Sequence, residues 1–368
     1  MWMLPPRLRF CSSPLRHFLP LVLCCVPLLT LRTAGAQEVL ADPPSESAHE
    51  FTLLSYNVHG LPPVTSGGWW MGQRLERIRR AFSTYPVVLL QEDFATRSAL
   101  AKGGQWLVHH GPGRRWRWGH LLSAPVWIPC WLTTLCGNPP IVGSGLTTQV
   151  RRDHFRDVEP LVSRHYEKCR GYLTGGSDCF AAKGFTGTRL RLPQGMVVDV
   201  YNTHLDAGNS KRDLAVRWEQ IRDLARAVAG HSPDAIIVAG DLNSNLTGGD
   251  RGDDFAPVLG LLDGLDLRDA SARPLLGSEW KVMDYILFRS GPRTQLTLAP
   301  APFEPVHGPA PCGPRGRASG EDDCFQNRHA RPLSDHPALF AHFRASLRQP
   351  RFVEEAERDV RRRLVNTR

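Results

Sequence analysis

Beyond its first 36 residues the chain of 368 has no apolar run long enough to span a bilayer. It also has no internal repeat, and no stretch of composition marks a boundary between two domains. Charge of one sign is lacking too. The formal net charge of +9 includes four arginines, Arg7, Arg9, Arg16 and Arg32, from an N-terminal segment without acids. The remainder is near +5. So mild an excess permits attraction to anionic lipid or nucleic acid without requiring either. The roughly 330 residues after that segment suit one large domain or two small ones.

The N-terminal segment reads as a secretory signal over residues 1–36. Arg7, Arg9 and Arg16 precede the apolar run Phe18–Leu31, and Ala34-Gly35-Ala36 supplies a small-x-small cleavage site. Cleavage after Ala36 would leave a short linker, 37–50, and an exported protein, extracellular or periplasmic. It would also remove Cys11, Cys24 and Cys25 of the nine cysteines. The other six, Cys130, Cys136, Cys169, Cys179, Cys312 and Cys324, form an even set suited to disulfides in an oxidising compartment. Six cysteines allow 15 pairings; their closeness along the chain favours Cys130–Cys136, Cys169–Cys179 and Cys312–Cys324.

Apolar, β-branched runs recur at Phe51–Val58, Val87–Leu90, Leu190–Leu192, Val197–Tyr201, Ile236–Val238, Val282–Phe288 and Ala338–Phe343. These predict strands. Between them Lys211–Gly230 carries Leu214, Trp218, Ile221, Ala225 and Val228 at helical spacing, and Gly72–Phe82 carries Leu75, Ile78 and Phe82. Ala299–Arg317, rich in proline and glycine, predicts a long surface loop. The alternation implies one α/β domain over 51–345, followed by a charged tail, 346–368.

Polar residues interrupt or end those runs: Asn57, Glu92, His204, Asp241, Asn243, Asp284, Asp335 and His336. A carboxylate or imidazole set against an apolar strand is costly unless it is paired or binds a ligand. Any one of them alone suits a turn or a structural hydrogen bond. Together they supply the parts that phosphodiester hydrolysis needs. Oxygen ligands suit Mg²⁺, a histidine held by a carboxylate can deprotonate water, and fixed donors can offset charge gathering on phosphorus.

The segments Ser55-Tyr56-Asn57-Val58-His59-Gly60, Leu90-Gln91-Glu92, Asn202-Thr203-His204-Leu205, Gly240-Asp241-Leu242-Asn243, Met283-Asp284-Tyr285 and Ser334-Asp335-His336-Pro337 resemble, in order, the motifs of the endonuclease/exonuclease/phosphatase superfamily. The resemblance covers Phe51 to Phe343. It implies a four-layer α/β/β/α sandwich of the DNase-I-like type with its active site at one rim. It further implies Glu92 as principal ligand of Mg²⁺ or another divalent cation, with Asn57 beside it. His336 would be the general base, oriented by Asp284 or Asp335. His204 would protonate the leaving oxygen or stabilise the transition state, and Asp241 and Asn243 would place the water and the phosphate.

Within that superfamily Cys169-Arg170-Gly171, the insert to Cys179 and Ala182-Lys183-Gly184-Phe185 resemble a segment of secreted bacterial sphingomyelinases. That resemblance implies a monomeric phosphodiesterase that splits sphingomyelin, or a related phospholipid at a membrane surface, into ceramide and phosphocholine. The apolar stretch Ala124–Leu132, with Trp127 and Trp131, and the pair Trp69-Trp70 suit an interface with lipid. Its place in the chain departs from the sphingomyelinase pattern, whose membrane hairpin lies nearer the C-terminus. A secreted nuclease is the alternative, resting on Arg114, Arg115, Arg117, Arg151 and Arg152 as phosphate contacts. A catalytically dead binding protein is disfavoured because no catalytic position of the motifs is missing.

Overall fold

The computed structural model describes residues 48–60, 78–79, 83–94, 105–113, 143–170, 178–179, 181–244, 256–270, 283–299, 334, 336 and 338–348, all within the compact unit Pro44–Arg368. The expected signal segment, Trp69-Trp70, the stretch Ala124–Leu132, Asp335 and the pairs Cys130–Cys136 and Cys312–Cys324 lie outside the described residues.

Twelve strands are described: β1 (His49–Asn57), β2 (Val87–Gln91), β3 (Trp106–His110), β4 (Thr147–Arg151), β5 (Asp157–His165), β6 (Gly184–Arg191), β7 (Val197–His204), β8 (Ala235–Asp241), β9 (Arg268–Asp269), β10 (Asp284–Arg289), β11 (Thr294–Leu298) and β12 (Leu339–Leu347). They form two six-stranded sheets, ordered β11-β12-β1-β2-β4-β3 and β5-β6-β7-β8-β10-β9. Each of the seven runs expected as a strand falls on one. Strands β3, β4, β5, β9 and β11 escape the sequence reading; Thr147-Thr148-Gln149 of β4 carries no apolar signal although the strand is almost wholly buried.

The side-chain alternation of the strands explains the layers. On β2, Val87 and Leu89 join the cluster between the sheets, while Val88 and Leu90 pack with Leu54, Tyr56 and helical Ile78 on the far side. On β8, Ala235, Ile237 and Ala239 face the other sheet, and Ile236 and Val238 face α1 (Lys211–His231) and α2 (Ala256–Leu265). Both sheets are therefore covered on both faces, which gives the expected four-layer sandwich. Burial of each large apolar side chain contributes about 1.5–3 kcal/mol. Among the described residues no helix is long and apolar enough to cross a membrane.

Helix α1 begins at a capping box in which the Ser210 side chain accepts from the Asp213 amide and the Asp213 side chain accepts from the Ser210 amide. Its buried face is rotated from the expected stripe. Arg217 and Gln220 are fully buried, whereas Leu214 and Trp218 are only partly so. Arg217 donates to the carbonyls of Asp206 and Gly208, and Gln220 pairs with Asp206. The first turns of α1 thus hold the loop that follows β7 rather than filling an apolar core.

Candidate active site

The inner faces of the two sheets change character along their length. Phe51 and Leu53 on β1, Val198 and Val200 on β7, and Ile286 on β10 pack in the core. Continuing with the same alternation, the next inward positions are Ser55 and Asn57, Asn202 and His204, and Asp284. Strand pairing then aligns them. His204 ends β7 beside Asp241, the end of β8, and Asp241 lies opposite Asp284, the start of β10. On the other sheet Asn57 ends β1 beside Gln91, directly before Glu92. His336 precedes β12, the other neighbour of β1. One rim therefore collects Asn57, Glu92, His204, Asp241, Asp284 and His336.

Asn57 joins the two sheets. Its Nδ2 donates to Glu92 Oε1 at 3.1 Å and to Asp241 Oδ2 at 3.1 Å, while Oδ1 accepts the His59 amide at 3.1 Å. Because a backbone N–H only donates, that contact settles which end of the amide faces the carboxylates. Asn57, expected beside the metal, here orients Glu92 and Asp241 through its NH₂ group. His336 Nδ1 bonds Asp284 Oδ2 at 2.7 Å, and its Nε2 lies 3.8 Å from Asp241 Oδ2. The His336 amide donates to Ser334 Oγ, whose hydroxyl donates to the Asn57 carbonyl. Asp284 is thus a carboxylate that holds the imidazole; Asp335 lies outside the described residues.

His204 is fully buried, 3.4 Å from Asp241 Oδ2 and 3.2 Å from Lys183 Nζ. Burial, then the charges of Lys183 and His336, hold its pKa well below the usual imidazole range. Lys183 was not foreseen as a site residue. Burial alone would depress its pKa, but Asp178, at 2.6 Å, with Asp206 and Asp241, outweighs that and raises it. Burial, with Asp284 nearby, pushes Asp241 up to about 6 against the opposing pull of His336 and Lys183. Asn243 donates its amide N–H to Asp241 Oδ1 and its Nδ2 to the Leu205 carbonyl. It stands at the rim with a left-handed backbone, φ 47°, as do His59 at 46° and Glu92 at 55°. Such backbones are costly for non-glycine residues and gather at functional sites. Gly240 is required where it stands: φ is 140°, and a Cβ there would meet the Thr203 carbonyl oxygen at 1.9 Å.

The disulfide Cys169–Cys179 is present. It ties together two segments that grip the loop after His204: the Arg170 amide donates to Asp206 Oδ2, and Asp178 Oδ2 accepts the Ala207 amide.

The site suits a divalent cation. Glu92, Asp241 and Asp284 bring hard oxygen donors to one rim, Lys183 is already paired with Asp178, and Asp284 Oδ1 is buried with no hydrogen-bond partner among the described residues. Donor atoms of Asp241, Asp284 and His336 all lie within 4.8 Å of one another.

No family model matches the chain. Over 305 residues, 79% of its length, it is 27% identical to the sphingomyelinase of Mycobacterium bovis, and equally to that of Mycobacterium tuberculosis. The chain is similar to these sphingomyelinases. It spans about half the length of these curated relatives, 52%. Solved structures similar to the chain include beta toxin from Staphylococcus aureus with bound magnesium ions (16% identity, 79% of this chain and 99% of that one, TM-score 0.47). They also include the human Nocturnin catalytic domain with a bound sulfate (15%, 81% and 95%, 0.49) and sphingomyelinase C from Streptomyces griseocarneus (18%, 80% and 99%, 0.44).

Proposed function

We propose that the chain is an exported, Mg²⁺-dependent phosphodiesterase that hydrolyses sphingomyelin to ceramide and phosphocholine. The observation that carries the chemistry is the His336–Asp284 pair at 2.7 Å, with the Nε2 edge of the imidazole turned toward Asp241. Water attacks phosphorus, the bond to the ceramide oxygen breaks, and that oxygen takes up a proton. His336 Nε2 accepts the proton of the water, and Asp284 holds the imidazole by Nδ1 and offsets its positive charge as it forms. Asp241, beside Nε2, and Asn243 place the water and the phosphate. His204, kept neutral by burial, serves as a hydrogen-bonding group, and Lys183 behind it supplies fixed positive charge. Glu92, oriented by Asn57, would hold the Mg²⁺. When bound, that ion supplies Lewis acidity and offsets charge on the phosphate oxygens.

The substrate class draws support from the sphingomyelinase relatives, and the disulfide is the kind of bond that an exported chain retains. Contact with the bilayer through Trp127 and Trp131 belongs to the same reading. The test offers purified protein and Mg²⁺ sphingomyelin vesicles, phosphatidylcholine vesicles and plasmid DNA in parallel. Phosphocholine release from sphingomyelin is expected. Cleavage of DNA with no lipid hydrolysis would replace this reading with a secreted nuclease.

A further inference from the structure

Gln91 on β2 and Asn202 on β7 belong to different sheets, yet their side-chain amides meet: Gln91 Nε2 lies 2.8 Å from Asn202 Oδ1. The polarity of that contact is determined. Asn202 Nδ2 donates to the carbonyls of Leu90 at 3.1 Å and Thr147 at 3.2 Å. Carbonyls only accept, so the Asn202 oxygen must face Gln91, and Gln91 must present its NH₂ group. That group also lies 3.3 Å from Ser55 Oγ and 3.4 Å from the Leu89 carbonyl. The bridge therefore spans β1, β2 and β4 of one sheet and β7 of the other. Both residues are fully buried, with 0% exposure to solvent.

The fold alone does not call for such a bridge. Gln91 Oε1 is buried without a hydrogen-bond partner among the described residues, and an apolar pair would fill the space without stranding it. The bridge stands where the apolar core gives way to the site. Glu92 is the residue after Gln91, and His204 lies two residues beyond Asn202. Core packing of Leu89, Val200 and Ala239 is non-directional. An amide pair of determined polarity is directional, and it holds one sheet against the other directly beneath the rim.

We propose that Gln91 and Asn202 are positioning residues, whose amide bridge sets the separation between Glu92 on one sheet and His204 and Asp241 on the other. This rests on the reading of the rim as a metal-dependent phosphodiesterase site and names what holds that site in register. The bridge lies below Asn57, which makes the corresponding link at the rim itself.

The test uses the full chain with Gln91→Met, which keeps the volume and removes the donor, and Gln91→Glu, which keeps the shape and reverses the polarity. Three quantities are read: Mn²⁺ affinity by electron paramagnetic resonance, kcat on a phosphodiester at saturating metal, and the melting temperature. Either variant that folds should bind Mn²⁺ about tenfold or more weakly and show a lower kcat, in the range usual for groups supporting a metal site. In an Asn202→Leu background Gln91→Met should add little further loss of kcat, because the bridge is already broken. Variants that melt lower yet match wild type in Mn²⁺ affinity and kcat would show a purely structural role and overturn the positioning role alone. Wild-type protein that neither binds Mn²⁺ nor cleaves a diester would overturn the reading of the site itself.

Discussion

Asp284 Oδ2 lies 2.7 Å from His336 Nδ1, across 52 residues of sequence. The carboxylate is nearly fully buried, so it holds the imidazole in one orientation and one tautomer. His336→Ala should lower kcat by about 10²–10⁴. Asp284→Asn should lower it as well, without displacing the fold. Wild-type turnover by Asp284→Asn would remove the carboxylate from the mechanism, and wild-type turnover by His336→Ala would remove the base.

Glu92 sits at the rim with φ 55°, its carboxylate held by Asn57 at 3.1 Å. Glu92→Gln keeps the size of the side chain and removes the charge a divalent cation requires. Activity should fall to a small residue while the circular dichroism spectrum is unchanged. EDTA should reproduce the loss in wild type, and added Mg²⁺ should reverse it. Full activity in EDTA would exclude the metal-dependent mechanism.

Breaking Cys169–Cys179 should lower the stability of the chain. The bridge closes a loop of separation 10, and chain entropy alone assigns such a closure about 2–3 kcal/mol. Activity should fall with it, since Asp178 and Arg170 brace the loop after His204. Thermal melts of wild type and of the Cys169→Ser, Cys179→Ser variant check the first, and kcat checks the second. Peptide mapping without reductant should also recover Cys130–Cys136 and Cys312–Cys324; free thiols there would remove those two pairs.

Asp206 gives stability a pH dependence. Burial raises its pKa from 3.8 to about 6. A folded state that holds its proton more tightly than the unfolded chain gains from that group below the unfolded value, and loses the gain as pH rises through the folded value. Relative to Asp206→Asn, wild type should therefore lose up to about 3 kcal/mol between pH about 4 and about 6.5. Urea melts of both proteins across that range check it. A difference that is constant or that grows with pH would contradict the assignment.

Trp127 and Trp131 test membrane contact. Large apolar side chains contribute about 1.5–3 kcal/mol each when fully buried. Trp127→Ala with Trp131→Ala should depress hydrolysis of sphingomyelin in vesicles strongly and leave a soluble short-chain diester almost unaffected. Equal loss on both substrates would place the tryptophans in the core or the wall of the site.

The sequence by itself determined seven of the twelve described strands and the polar residues that interrupt or end them, because alternation and β-branching are local properties of the chain. Leu53 through Asn57 and Ile236 through Asp241 could be read residue by residue. Cysteine spacing indicated the Cys169–Cys179 pair. Tertiary structure decided what no local pattern carries. It selected Asp284 as a carboxylate that grips His336, and it brought Lys183 and Asp178 behind His204. It also turned Arg217 and Gln220 of α1 inward, where helical spacing had pointed to Leu214 and Trp218. The buried polar strand β4 and the Gln91–Asn202 bridge were equally hidden. The partners lie outside any local pattern, Asp284 and His336 being 52 residues apart and Gln91 and Asn202 111. A buried charge or amide is tolerated only once that partner is in place.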